Sequence, residues 1–443
     1  MCAIYGMIWN EAPDEMFRVL HQLQLNSIER GRDGHGLFHK SRDTIGYLHQ
    51  RNDSAFIPEQ GKPGWNMVIG NRRAEPTTEW VKDKKITDQQ PYQAGRWVIV
   101  HNGTIANDKE LRTYTVDTKI DSAAIAEYLD ARNADDLLGL ISTIVGSYAI
   151  LAFDTFKNRL HVACNYRPIW FSRIKENTIL FGSTRRSVVG GIPQMMQPYS
   201  YSVFDMRGKL LSFTPLQNTP IKNRSLVVCS SGLDSTVALA WCIARGDDVA
   251  ILHYCYGSRA QGREVDRIYK IGEFYNIPVI VKKLNIYDQE DSNLLNPVAD
   301  IAGGEAGAEY AHEWVPARNL VMLSLATAYA EAKGYNRIIL GNNLEEAGAY
   351  PDNEPEFIDR LNDVMPFAVG DGANVRIEMP VGNMMKHEIV ALGLELKAPL
   401  HLTWSCYKNH TLHCGVCGPC VMRRTAFDIN AVEEVIEYET PID

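Results

Sequence analysis

The sequence predicts two α/β units joined by a short linker, the second built on a doubly wound parallel sheet and carrying a four-cysteine loop. Three observations lead there. Short apolar runs parted by turn residues crowd the first half. A strand–loop–helix rhythm takes over in the second. Four of the nine cysteines fall between Cys406 and Cys420. At 443 residues the chain is long enough for two or three domains, and 45% hydrophobic with 22% charged residues suits globular units with sizeable cores.

In the first half, WNMVIG, RWVIV, YAILAF, RLHVAC, TILFGS and YSVFD are bounded by Gly, Asn, Asp or Pro and read as strands. EMFRVLHQLQLNSIERG and DSAAIAEYLDAR carry helical spacing between them, so sheets covered by helices fit. The charge-free run Leu137–Phe153 is shorter than the roughly 20 residues of a membrane span. Gly146-Ser147 divides it into an expected buried helix and a strand. The apolar pattern lapses at LQNTPIKNRS. The first unit is therefore expected over 2–215, the linker over 216–224 and the second unit over 225–443. There SLVVCS, DVAILHYC and PVIVKKL alternate with GLDSTVALAWCIARG and EVDRIYKIGEFYN, and VMLSLATAYAEAKGYNRIILGNN repeats the unit. Such alternation implies parallel strands. A cysteine-rich loop and a helical tail follow.

A net charge of −9 makes a poor generic polyanion binder and favours a small-molecule substrate. Basic pairs such as Arg423-Arg424 leave tRNA or DNA open as substrates. The odd cysteine count and the lack of a basic, apolar leader point to a reducing, cytoplasmic setting, no membrane, and a metal rather than disulfides. A homodimer is compatible with these totals. Cys406, Cys414, Cys417 and Cys420 give C-x7-C-x2-C-x2-C, which suits tetrahedral zinc. The tandem C-x2-C-x2-C also occurs in iron–sulfur sites, and free thiols are the plainest alternative. His410 and His413 read as solvated loop histidines. Cys164, Cys229, Cys242 and Cys255 lie in apolar runs and read as core.

The start MCAIYG places a cysteine second. With Met1 removed, Cys2 carries a thiol and a free amine whose pKa of roughly 7.7–8.0 lets it take the thiol proton. With Met1 retained the amine is blocked and such activity is expected to be absent. The plain alternative is a small residue in a first strand. MCAIYG, ERGRDGHG, GNRRAE, VHNGTIAN and Asp121-Ser122, in that order, resemble class II glutamine amidotransferases over about residues 2–210. The resemblance implies an amino-terminal-nucleophile (Ntn) αββα sandwich that releases ammonia from glutamine. Cys2 would be the nucleophile, with the Asn102 side chain and the Gly103 N–H as oxyanion hole. Arg73 would hold the glutamine carboxylate and Asp121 its ammonium. An arginine fork suits a carboxylate, and preorganised amides suit a tetrahedral oxyanion. Two departures bear on loop geometry: Arg32 replaces the proline of the family's RGPD turn, and Asn71 replaces its histidine. The plainer readings are a hairpin turn at Asn102-Gly103 and solvated charges at Arg73 and Asp121.

In the second half, SLVVCSSGLDSTVALA sets a small-residue loop between a strand and a helix, the geometry that binds phosphate. The GK[ST] ending of a Walker loop is absent. The loop resembles the SGGxDS[ST] motif of ATP pyrophosphatases. Ser230, Gly232, Asp234, Ser235 and Thr236 match, Leu233 fills the variable place, and Ser231 stands for a glycine. A serine fits there if φ is negative and is strained otherwise. The resemblance implies ATP with Mg2+ as cosubstrate and activation of an oxygen as its adenylate.

YGSRAQGREVDRIYKIGEFYNIP, WVPARN, AYPDNEPEF, MPVGNMMKHEIV and TWSCY with its downstream cysteines resemble the 7-cyano-7-deazaguanine synthase (QueC) family from about residue 225 to 430. This implies an adenine nucleotide alpha hydrolase-like fold and structural zinc at the four cysteines. It also implies substrate-site segments at Arg318, Asn319, Tyr350, Pro351 and Asp352, and Lys386 near the nucleotide. The plainer readings are a helix-start charge at Arg318, a turn at Tyr350-Pro351 and a surface lysine. PDNEPEF departs from the family's PDCRPEF. Asn353 and Glu354 lose a cation and gain an anion, which is expected to disfavour a carboxylate substrate and to suit a nitrile or a formamidine.

Together the halves resemble a glutamine amidotransferase domain fused to a QueC domain. The expected partners are glutamine, ATP and a 7-deazaguanine. Ammonia would cross an internal passage to the C7 substituent, turning a nitrile into an archaeosine-type formamidine or, with ATP, a 7-carboxyl into the nitrile. The alternatives are an asparagine-synthetase-like amide ligase, which needs neither the zinc loop nor VPARN, a zinc-bearing nucleic-acid modifier, and a regulatory protein without activity.

Overall fold

Side chains along AIYGMI face two ways, as a pleated strand requires. Ile4 and Ile8 join a core with Val98, Val100 and Leu151, while Tyr5 and Met7 join another with Met16, Leu20 and Leu23. This alternation sets the layers of the first unit. The computed structural model describes residues 2–10, 13–41, 44–50, 64–74, 85–113, 116–216, 223–300, 314–347, 350–370, 374–408 and 410–439. It divides into two units, Met1–Asn218 and Thr219–Asp443. Most of the expected linker, 216–224, lies outside the described residues.

The first unit contains β1 (Ala3–Ile8), α1 (Pro13–Asn26), β2 (Gly34–Ser41), β3 (Ile45–Gln50), β4 (Trp65–Arg73), β5 (Tyr92–Ala94) and β6 (Trp97–Ile105). Then come α2 (Asp108–Leu111), α3 (Ala123–Ala131), α4 (Leu138–Ile141), β7 (Gly146–Asp154), β8 (Arg159–Cys164), β9 (Trp170–Lys175), β10 (Thr178–Gly182), β11 (Gln194–Met195), β12 (Ser200–Phe204) and β13 (Leu210–Pro215). A seven-stranded sheet runs β11-β9-β10-β1-β4-β2-β3, and a six-stranded sheet runs β13-β12-β8-β7-β6-β5. Their strand pairs are antiparallel. One core lies between the sheets, α1 covers the first sheet, and α3 packs on the second through Ala123–Leu129. This is an αββα sandwich. The charge-free run Leu137–Phe153 becomes α4 and β7, but α4 is a single turn that buries only Leu140 rather than the expected buried helix, and no described helix is long and apolar enough to cross a membrane.

The second unit contains β14 (Arg224–Val228), α5 (Leu233–Ala244), β15 (Asp248–Cys255), α6 (Gln261–Tyr275), β16 (Val279–Lys283), α7 (Arg318–Lys333) and β17 (Arg337–Ile339). These are followed by α8 (Leu344–Ala347), α9 (Pro355–Ala368), β18 (Arg376–Glu378), α10 (Lys386–Glu395) and α11 (Gly418–Ile429). The five-stranded parallel sheet runs β16-β15-β14-β17-β18. Val227 and Ile251 pack with α5 on one face, while Leu226 and Ile338 pack with α7 and α9 on the other. Strand order reverses at β14, and ligands bind outside the carboxyl ends of strands at such a switch point. The loop after β14 is the phosphate-loop candidate.

Candidate functional site

Cys2 precedes β1, and the register Ala3↔Arg72 sets it beside the end of β4. It is half-buried, with Sγ 3.7 Å from the Ala74 carbonyl oxygen. Arg73 is buried, and its Nη1 donates to the Asp88 carbonyl at 3.2 Å. The turn at Gly31–Gly34 lies alongside, since the Asp33 N–H donates to the Arg73 carbonyl at 2.9 Å. A Cβ on Gly31 would fall 2.3 Å from the Arg72 oxygen, so only glycine fits there. Arg32 is exposed, and its replacement of proline leaves the turn in contact with β4.

Asn102 and Gly103 do not form a hairpin turn. They lie inside β6, opposite Ala149 and Tyr148, because β7 extends the ladder past them. Asn102 is buried, and its Nδ2 has no hydrogen-bond partner among the described residues. Such an orphan donor costs about 1–3 kcal/mol and is what an oxyanion hole holds ready. A Cβ on Gly103 would fall 1.9 Å from the Ser147 oxygen, so this position admits no side chain. The solvated-charge readings of Arg73 and Asp121 also give way. Asp121 Oδ2 accepts the Ile105 N–H at 2.7 Å, and Oδ1 accepts the Ser122 N–H at 2.7 Å.

The structure adds His101, which the VHNG segment contained but which sequence reasoning did not single out. Its Nδ1 lies 2.8 Å from Ser122 Oγ and its Nε2 3.2 Å from the Ser147 oxygen. Burial lowers its pKa, favouring a neutral ring that accepts from Ser122 and donates to Ser147. Gln90 braces the same residue, accepting its N–H at 2.6 Å and donating to its carbonyl at 3.0 Å.

In the second unit one cavity brings together Ser230, Gly232, Leu233, Asp234, Ser235 and Lys386 with Arg318 and Asn319. Ser231, Thr236, Tyr350, Pro351 and Asp352 do not line it. Ser231 takes the left-handed conformation, φ +71°, that the family's glycine permits. This is the strained alternative, costing roughly 1–2 kcal/mol for a residue with a Cβ. Its buried Oγ has no partner among the described residues, and its carbonyl accepts the Trp404 N–H at 2.8 Å. The loop thus keeps its shape, and the added hydroxymethyl group stays out of the cavity wall.

Lys386 is not a surface residue. Its ammonium pairs with Asp234 Oδ2, both side chains being 13% exposed, and Asn343 Nδ2 donates to the same oxygen at 3.0 Å. Arg318 opens α7, as a helix-start charge would, but also faces the cavity and donates from Nη1 to Tyr256 Oη at 3.1 Å. Asp352 serves the start of α7 by accepting the Asn319 N–H at 3.0 Å. Tyr350 stacks on Trp314 with centroids 6.1 Å apart. Asn353 lines the cavity, its Oδ1 accepting from Asn319 and Asn342. Glu354 is exposed at the amino terminus of α9, a favourable place for an acid. The anion expected against the substrate therefore does not line the cavity. Glu264, missed in the sequence, does. It accepts Ser258 Oγ–H at 2.9 Å, and burial pushes its carboxyl up to about 7 against that bond and the Arg318 charge. Its signal was the acid of YGSRAQGRE.

The thiols of Cys406, Cys414, Cys417 and Cys420 are buried, with sulfurs within 4.8 Å of one another. Backbone N–H groups of Lys408 and Cys414 donate to Cys406 Sγ, and that of Cys417 to Cys414 Sγ, each at 3.4 Å. Neighbouring Cys406, Cys417 and Cys420 hold the Cys414 thiol far below its ordinary range. Four sulfurs so placed, with donors ready for thiolate charge, fit a tetrahedral metal ion. His413 is not solvated. It is 3% exposed, accepts the Ser405 N–H at 3.1 Å and packs against Trp404. His410 is exposed and pairs with Glu439 at 2.5 Å. The scattered Cys164, Cys229, Cys242 and Cys255 are buried. Trp404, Ser405, Cys406 and Tyr407 wall the cavity, so the cysteine loop is part of the site.

Comparison with known proteins matches residues 224–431 to the family of queuosine biosynthesis protein QueC and residues 77–189 to a glutamine amidotransferase domain. The second match spans Asn102, Gly103 and Asp121 but begins after Cys2 and Arg73. The chain is 40% identical to a 7-cyano-7-deazaguanine synthase of Saccharolobus solfataricus and 38% identical to one of Sulfolobus acidocaldarius. Each alignment covers 99% of this chain and 100% of the relative. A protein of the same name from Methanothrix thermoacetophila is 38% identical over 49% of this chain and 99% of its own length.

Proposed function

The chain belongs to the 7-cyano-7-deazaguanine synthase family, in the form that adds a glutamine amidotransferase domain, and from this premise we propose that it makes the nitrile of 7-cyano-7-deazaguanine from the 7-carboxy base, ATP and glutamine-derived ammonia. One observation carries the reading: the cavity that joins the phosphate-loop candidates Ser230, Gly232, Leu233, Asp234 and Ser235 and Lys386 to Arg318 and Asn319.

In the first unit, once Met1 is removed, the Cys2 amine takes the thiol proton. The thiolate then attacks the glutamine carboxamide. Asn102 Nδ2 and the Gly103 N–H receive the oxyanion, while Arg73 and Asp121 hold the amino-acid end. Collapse releases ammonia and leaves a glutamyl thioester, which water opens to glutamate. His101 and Gln90 position the strand that bears Asn102.

In the second unit Ser230, Gly232 and the amino terminus of α5 through Ser235 take the ATP phosphates. Lys386 shifts its charge from Asp234 towards them, and Asp234 would then hold the accompanying Mg2+, which would offset the phosphate charge. The 7-carboxylate attacks the α-phosphorus and expels pyrophosphate. Ammonia displaces AMP to give the amide. A second ATP activates the amide oxygen, and loss of AMP with two protons leaves the nitrile. Zinc at Cys406, Cys414, Cys417 and Cys420 would fix the loop that walls the cavity. An asparagine-synthetase-like ligase gives that loop no task.

A second reading is ammonia addition to a nitrile, giving a formamidine without ATP. It is favoured by Asn353, a neutral amide joined to Asn319 and Asn342 where the family motif has a thiol. The test is AMP and pyrophosphate release by purified protein given glutamine, ATP and either base. Release with the 7-carboxy base supports the first reading. A formamidine formed from the nitrile without ATP supports the second.

A further inference from the structure

The acid Glu264 on the cavity wall has no part in the chemistry above. Glu264 stands in the first turn of α6 and faces the cavity. Its Oε2 accepts from Ser258, and no other hydrogen bond reaches the carboxylate among the described residues. Leu294 and Tyr256 line the same cavity, and the Tyr256 hydroxyl is taken by Arg318. A half-buried carboxylate on a cavity wall with one neutral protein donor leaves acceptor capacity that a ligand can take up. Among the described residues no lysine or arginine lies within ion-pair distance of it, and the nearby Arg318 charge acts on it only through space. Such a group calls for a ligand with two adjacent N–H donors. A 2-amino-4-oxo pyrimidine edge offers them: the ring N1–H and the exocyclic 2-amino group are spaced to meet the two oxygens of one carboxylate. The carbonyl beside N1 needs a donor, and the Arg318 guanidinium acts on Glu264 from nearby.

We propose that Glu264 reads the N1–H and 2-amino edge of the substrate base, with Arg318 facing its O6, and so selects guanine-type bases. This deepens the proposed function and rests on it. The role is one of specificity: the reacting C7 substituent lies across the base from this edge.

The test is calorimetric binding to the full-length protein of the 7-carboxy-7-deazaguanine base and of its analogue lacking the 2-amino group. Wild type should prefer the amino base by about 10- to 100-fold, the worth of a charge-assisted hydrogen bond. Glu264→Gln places an NH2 against the ligand donors. It should bring the ratio towards one while ATP affinity and glutaminase rate, which report folding of the two units, stay as in wild type. Should that variant misfold, the wild-type ratio still decides. A wild type that binds both bases equally, or a folded variant that keeps the preference, overturns the inference alone. A wild type that binds neither base overturns the substrate reading as well.

Discussion

The Trp404 N–H donates to the Ser231 carbonyl at 2.8 Å, tying the start of the cysteine loop to the strained residue of the phosphate-loop candidate. Trp404 Nε1 also donates to the Cys406 carbonyl at 2.7 Å. The metal candidate and the nucleotide candidate are thus one connected piece. Removing the metal with a chelator, or replacing Cys417 by serine, should weaken ATP binding by about tenfold, the order of one lost hydrogen bond, and lower the melting temperature. Calorimetric ATP titration with metal content measured in parallel checks this. Unchanged ATP affinity in metal-free protein contradicts it.

Ser231→Gly should stabilise the second unit. It removes a left-handed serine, worth roughly 1–2 kcal/mol, and a buried unpartnered hydroxyl. A gain of about 2–4 °C per kcal/mol is expected for a unit of this size, with ATP affinity kept because residue 231 does not line the cavity. Ser231→Val should lose stability, and thermal unfolding of both variants separates the outcomes.

Asn102→Ala removes the orphan donor of β6 without breaking any described bond of its side-chain nitrogen. Glutaminase kcat should fall about 10²–10³-fold with the glutamine KM nearly constant, as for an oxyanion donor. Cys2→Ala should abolish glutamate release. In both variants nitrile formation from added ammonium should survive. An Asn102→Ala variant with full kcat contradicts the assignment.

Binding of the base should weaken in acid. Burial raises the Glu264 pKa to about 7, so its charged form is present above that pH and lost below it. Since the charged form is the one that accepts two N–H donors, Kd should rise about tenfold per unit as pH falls below 7. Cys255, Tyr256 and Arg318 also face Glu264. Burial pushes Cys255 and Tyr256 up, and Arg318 stays protonated, so none of these titrates in the same window. Affinity of Glu264→Gln measured from pH 6 to 8 should be flat.

Local patterns were legible where chain neighbours are also spatial neighbours. The apolar runs of β4, β6, β7 and β8, the alternation of β14 through β16, and the cysteine spacing are of that kind. β2 and β3 were not legible, since GHGLFHKS and IGYLHQ mix polar residues into strands that are decided by the pairing of β2 with β4 and of β3 with β2. Asn102-Gly103 reads as a turn until β7 is seen to pair with it. Tyr350, Pro351 and Asp352 share a motif with Asn353, yet Asn353 alone of these faces the cavity. Glu264 sits on an amphipathic helix, where one acid looks like a solvated face until the cavity is located.

The most direct test is to supply glutamine labelled with 15N at the amide, together with the 7-carboxy base, and weigh the base product with and without ATP. The account predicts a 15N-labelled nitrile and AMP only when ATP is present, lost in Cys2→Ala and restored by labelled ammonium. A 7-carboxy base returned unchanged in the presence of glutamine, ATP and metal-loaded protein, with no AMP formed, would contradict it.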